Sequence, residues 1–171
     1  MGLYQHVRKN IEESYKTRSQ IYKNRLAQFN SEPSINRVDK PTNIARARTL
    51  GYKAKEGVVI IRVKVSGGSS KRKQPSGGRK PSKSGRFFNR VKSLQSIAEE
   101  RANRKYMNCE VLNSYYVGNS GSSNFYEVIM IDRSSPSILA DPIYAKMLNV
   151  KRRAFRGLTS SGKKHRGLIV K

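Results

Sequence analysis

Leu3, Val7 and Ile11 recur every four residues, and Tyr22, Leu26 and Phe29 follow at spacings of four and three, which predicts helix over residues 3–29. Between Tyr15 and Ile21 the phase slips across a polar patch, so two helices and one bent helix both fit. Pro33 and Pro41 hold the next stretch extended around Ile35 and Val38. Thr42 stands where it would cap a short helix over 43–50, with Gly51 at the position that commonly ends one. Val58–Val65 (VVIIRVKV) is β-branched and changes from continuous to alternating. It predicts a strand buried at its start and wet at its end on the face carrying Arg62 and Lys64.

Residues 66–86 contain six Ser, five Gly, two Pro, seven basic residues and one Gln, with no apolar side chain to offset ordering entropy. We expect a basic arm over 66–92 that stays disordered until a partner orders it. Ser93 opens a helix over 93–105 with Leu94, Ile97, Ala98 and Arg101 on one face. Strands are predicted at 110–117 and 125–131, joined by a hairpin loop over the polar run 118–124. Asp141 and Pro142 predict a short helix over 141–148, and Thr159 another in the basic tail at 150–171. Interspersed helices and a strand hairpin favour an α+β fold in one domain over 1–171: a small, mostly antiparallel sheet with flanking helices and long basic extensions.

Charge changes the picture from fold to partner. Thirty-six Lys and Arg against 11 Asp and Glu give a formal charge of +25 on 171 residues. Leu, Ile, Val and Phe total only 38, so the core is small for so charged a periphery. The charge is also partitioned. Residues 57–98 hold eleven bases and 142–171 nine, neither with an acid, whereas 106–141 holds four acids and one base, Arg133. Such a chain needs a polyanion, and nucleic acid suits it better than a membrane surface. No apolar run reaches the roughly 18 residues of a membrane span, and the polar face of the first 29 residues interrupts their apolar stripe. The first eight residues have no apolar signal-peptide core, and the lone Cys109 excludes an internal disulfide framework. A cytoplasmic protein is the expectation.

Catalytic patterns are weak. Gly157–Lys164 matches the phosphate-loop spacing G-x-x-x-x-G-K-[ST] except that Lys164 replaces the Mg²⁺-binding hydroxyl, and basic residues precede it where a buried strand is required. The blander reading is a Gly/Ser turn whose N–H groups and lysines meet phosphates. Cys109, His6 and His165 are too scattered for a zinc site; Cys109 reads as a small buried thiol, His6 as structural and His165 as a phosphate donor. Glu99 and Glu100 point about 100° apart on their helix and do not converge for acid/base work. We read them as structural, with Glu100 set to pair with Arg104 four residues on. No enzyme activity, metal or cofactor is expected. Without a groove-reading motif, RNA is favoured over duplex DNA, with Phe87, Phe88 and Phe155 available to stack on bases or on the core.

Five segments carry a family likeness: Ala45–Lys55 (ARARTLGYKAK), Ala98–Lys105 (AEERANRK), Val111–Tyr115 (VLNSY), Tyr126–Ile129 (YEVI) and Arg156–Lys164 (RGLTSSGKK). In order and spacing the chain resembles the large-subunit ribosomal protein fifteen family of archaeal and eukaryotic type, distinct from the bacterial protein of that number. The resemblance implies an α+β core, extensions buried in large-subunit ribosomal RNA, neighbouring ribosomal proteins as further partners, and neither catalysis nor homo-oligomer. It makes RNA-contact candidates of Arg46, Arg48, Lys53, Lys55, Arg101, Arg104, Lys105, Arg156, Lys163 and Lys164. Charge clustering adds Lys71, Arg72, Lys73, Arg79, Lys80, Lys83, Arg86, Arg152, Arg153 and Arg166. Tyr116 stands where family members often carry Trp, and Ser134-Ser135 replaces a His-containing stretch. The competing readings are a stand-alone nucleic-acid compaction or chaperone protein and, more remotely, a degenerate nucleotide-binding protein.

Overall fold

Both faces of a four-stranded antiparallel sheet are covered by helices in the computed structural model, which describes residues 2–169 except 69, 70, 74, 84 and 86–91. The strands are β1 (Ile35–Val38), β2 (Val58–Ser66), β3 (Cys109–Ser120) and β4 (Ser123–Asp132), in spatial order β1-β2-β4-β3. The central pair explains the apolar runs. β4 is paired on both edges, its Ile129 facing Ile60 of β2 and its Val128 facing Ser114 of β3. Its side chains alternate between two buried faces rather than between core and water.

On one face Ile61, Val63, Val65, Val128 and Met130 meet Ala98 and Ala102 of α4 (Leu94–Lys105), whose small residues allow close approach. Three groups share the other face. α2 (Gln20–Ser31) brings Tyr22, Leu26 and Phe29 onto Phe125; α3 (Ile44–Thr49) and the following turn bring Ala47 and Tyr52 onto Ile60 and Ile129. α5 (Pro136–Leu139) and α6 (Pro142–Leu148) bring Ile138, Tyr144 and Leu148 onto Ile131. α1 (Leu3–Lys16) is separate from α2, so the phase slip marks a break between two helices. Ser93 and Asp141 cap α4 and α6, and Thr159 caps α7 (Ser160–His165), as their sequence positions predict.

Four expectations need correction. Asn43, not Thr42, caps α3, and the Thr42 hydroxyl donates instead to buried Glu127. The polar run 118–124 is not a loop: the ladder continues to Ser120 opposite Ser123, leaving Gly121 and Ser122 as the turn, with Gly121 at φ +54°. Ladder bonds use backbone groups and tolerate polar side chains, and Gly118 within the run lies beneath Tyr22 and Leu26. The wet face predicted for β2 is covered by α2. Arg62 is buried there opposite Glu127, its Nη1 2.8 Å from Glu32 and its guanidinium 3.8 Å from the centre of the Phe29 ring. Finally, Glu100 pairs with Lys92 at 2.7 Å rather than with Arg104.

Candidate nucleic-acid interface

Three of the eleven carboxylates turn inward, and this arranges the cations around them. Glu99, Glu110 and Glu127 are 1%, 2% and 0% exposed. Glu127 accepts from the Tyr115 and Thr42 hydroxyls and, at 3.2 Å, from Arg62 Nη2. Glu110 accepts the backbone N–H of Arg152 at 2.6 Å and of Arg153 at 3.2 Å, gripping the start of the basic tail by its backbone. Glu99 accepts from the Ser114 hydroxyl and, at 2.6 Å, from the Thr159 hydroxyl that caps α7. Burial pushes the Glu99 carboxyl above its ordinary value, and those two hydroxyls together with Arg153 partly oppose the shift. The tail is thereby tied to the core through hydroxyls and amides while most of its cations face outward.

The phosphate-loop spacing in this tail has a packing explanation. A Cβ on Gly162 would lie 2.6 Å from Gly157 Cα, so the two glycines let the backbone double back on itself. Ser161 is turned to the core, its hydroxyl 2.7 Å from that of Ser96 on α4. With Thr159 and Ser161 committed inward, the loop presents Ser160, Lys163 and Lys164.

The predicted cations fall into several places. Arg46 of α3 and Lys164 of α7 line one polar cleft of about 300 Å³ together with Gln95 and Asn113, although 118 residues separate them in sequence. Arg48 is exposed beside the Tyr4 ring, 5.2 Å from its centre. Lys53 and Lys55 lie 3.2 and 3.4 Å from Asp141, so their charge is partly spent on the α6 cap. Along α4, Arg101 Nη1 is 3.5 Å from the Lys64 carbonyl, Lys105 Nζ donates to the Ile35 carbonyl at 3.1 Å, and Arg104 leans over Phe155. Lys71, Arg72, Lys73, Arg79 and Lys80 of the arm are exposed, Lys80 donating to the Ser76 carbonyl at 2.7 Å. Arg152, Arg156, Lys163 and Arg166 are exposed on the tail.

Arg153 is the exception. Its Nη1 donates to the Val111 carbonyl at 2.6 Å, so it serves to fasten the tail to β3. Arg86, Phe87, Phe88 and the side chain of Lys83 lie outside the described residues. Cys109 is a buried thiol, while His6 and His165 are exposed. Among the described residues no three His, Cys, Asp or Glu side chains converge as metal ligands, and no helix is long and apolar enough to cross a membrane.

Comparison with known proteins fits this arrangement. The family model described as Ribosomal L15 matches residues 2–171. The large ribosomal subunit protein eL15 of Nanoarchaeum equitans is 46% identical over 170 residues, covering 98% of this chain and 90% of that protein. That of Metallosphaera sedula is 44% identical over 152 residues, covering 87% of this chain and 70% of its own. The chain belongs to the ribosomal protein L15 family of archaeal and eukaryotic type.

Within this L15-family fold, the five resembling segments serve different ends. Val111–Tyr115 and Tyr126–Ile129 are paired strand, and they hold the carboxylate network through Ser114, Tyr115 and Glu127. Ala98–Lys105 covers the sheet with its alanines and supplies Glu99 to the tail. Ala45–Lys55 and Arg156–Lys164 carry the outward cations, and they meet where Arg46 and Lys164 share a cleft. Tyr116, at the family's frequent Trp position, is half-exposed and packs edge-on against Tyr126 with ring centres 5.7 Å apart. The buried carboxylates are what sequence reasoning missed. One signal was present: Glu127 interrupts the apolar run FYEVIMI, and a charge in a strand buried on both faces requires a partner.

Proposed function

We propose that this protein is a structural constituent of the large ribosomal subunit, acting in the cytoplasmic ribosome by binding and bracing large-subunit ribosomal RNA. The observation that carries this is the separation of charge: buried carboxylates hold the basic tail by its backbone and leave Arg152, Arg156, Lys163, Lys164 and Arg166 facing outward. Family membership and relatives named as large ribosomal subunit proteins support the same reading. The mechanism is electrostatic and mechanical. The core presents a fixed set of cations, the arm at 66–92 and the tail extend it, and each phosphate neutralised releases a counterion. Neighbouring ribosomal proteins meet the remaining surface. The chemistry is positioning, and no catalytic step is assigned to any residue.

The test joins sedimentation to a salt titration. The protein should co-migrate with large subunits through a sucrose gradient after a salt wash, which a stand-alone compaction protein would not do. The free protein should bind large-subunit RNA with log affinity falling linearly in log salt, by roughly 0.7–0.9 per phosphate contacted. A flat plot, or release from subunits at moderate salt, would overturn the reading.

A further inference from the structure

We propose that a cleft at the C-terminal end of α4 receives one RNA nucleotide whose base is turned out of its stack. The inference rests on the RNA-binding reading above and goes beyond it by assigning a site for a base rather than for the phosphate chain. The cleft, of about 570 Å³, lies among the end of α4, the start of β3, the segment after β4 and the turns at 150–156. Its volume falls within the range that encloses a small ligand.

Its chemistry is two-sided. Met107 and Phe155 stand 82% and 42% exposed at the cleft, apolar groups left in water. Arg104 lies over the Phe155 ring, its guanidinium carbon 5.8 Å from the centroid, so a flat cation and an aromatic ring sit side by side. Unstacked RNA bases are held by surfaces of this kind, on aromatic rings and arginine planes. Arg133, Lys151 and Arg152 also line it and suit the phosphate of the same nucleotide.

The charge of the lining suits an anionic occupant. Glu110 is the acid among the lining residues, and both its oxygens already accept the Arg152 and Arg153 amides. Four cations therefore face the space against one committed carboxylate. An extruded nucleotide supplies the flat apolar face, the acceptors and the negative charge together.

The probe is large-subunit RNA transcribed with thiouridine, irradiated in complex with the full-length protein and mapped by mass spectrometry. Cross-links are expected on Met107 and Phe155. Phe155→Ala should lower affinity for this RNA about tenfold, the worth of one stacked base, while the slope against log salt stays unchanged. Met107→Ala, at a still more exposed position, provides a second variant that tests the same wall without risk to the fold. Steep salt dependence in the wild type with no cross-link in the cleft, and both variants within twofold, would overturn this inference and leave the RNA reading standing. A wild-type protein with no salt-dependent RNA binding would overturn both. A carbodiimide cross-link in intact subunits from Lys151 to an acidic segment of a neighbouring protein would assign the cleft to protein instead and refute the proposal.

Discussion

Glu110→Gln should release the basic tail from the sheet while altering a single atom. In the native fold one carboxylate oxygen accepts the Arg152 amide at 2.6 Å and the other the Arg153 amide at 3.2 Å. The glutamine amide has one acceptor oxygen. It will orient that oxygen toward Arg152, leaving an NH₂ group against the Arg153 N–H. The variant loses one charge-assisted bond and weakens the other to a neutral one, roughly 2–3 kcal/mol in total. At about 1.4 kcal/mol per decade, opening of the turns at 150–157 becomes roughly 30- to 150-fold more frequent. Hydrogen exchange reads this directly, because the same turns are closed by Arg156 N–H to the Arg152 carbonyl and Leu158 N–H to the Arg153 carbonyl. Amides over 152–158 should accelerate by that factor, and core amides that exchange only through global unfolding should follow. Fraying amides of α1, which packs against α3 and α2, should keep their rates. Exchange over 152–158 within about threefold of wild type would refute the claim that Glu110 anchors the tail.

Gly118→Ala should destabilise the protein by about 1–3 kcal/mol, since the new Cβ would lie 2.5 Å from Tyr22 Oη and 3.2 Å from Leu26 Cδ2. A urea midpoint equal to wild type would contradict the close approach of α2 to β3. Burial raises the Glu99 carboxyl above its ordinary value of 4.5, so the folded state binds that proton more tightly than the unfolded chain does. Wild type should therefore lose stability relative to Glu99→Gln as pH rises from the ordinary value through the raised one, then stay level; parallel stability curves across that range would sink this. The Cys109 thiol is pushed up to about 11 by burial, with Asp132 adding to the shift, so iodoacetamide should label it about 100-fold more slowly in the folded than in the urea-unfolded protein near neutral pH. Equal labelling rates would show that the thiol is accessible.

The parts of this fold that were legible in the sequence are those whose signals are local. Ser93, Asp141 with Pro142, and Thr159 each announced a helix because capping satisfies N–H groups two or three residues away. Contacts made across the fold left no such trace. Arg62 looked solvated because its partners, Glu127 and Glu32, are 65 and 30 residues distant, and the covering α2 lies as far off. α5 escaped notice because four residues are too few to show a period. The candidate interface divides in the same way. The individual cations could be read from composition, but nothing along the chain placed Arg46 beside Lys164 or separated inward Arg153 from outward Arg152. Arg133, the single base of an acidic stretch, carried no signal at all, yet it lines the cleft beside Phe155.

The inward carboxylates also answer how so basic a chain keeps its charge for a ligand. An acid on the surface pairs with cations that phosphate must win over, as Asp141 does with Lys53 and Lys55 and Glu100 with Lys92, whereas three of the eleven acids are withdrawn from that competition by burial. Here Glu99 accepts hydrogen bonds from the Ser114 and Thr159 hydroxyls, and Glu110 accepts them from two backbone amides. Burying a carboxylate is costly, but such donors offset the loss of water without consuming a lysine or arginine. Arg62 is the cation that pairs with a buried carboxylate, and it stands between Glu127 and Glu32, while Arg153 turns inward onto a backbone carbonyl. Substituting either hydroxyl donor to Glu99 should therefore cost stability, not salt-sensitive affinity. Substituting Lys164 should do the reverse, lowering the salt slope by about one while leaving the fold intact.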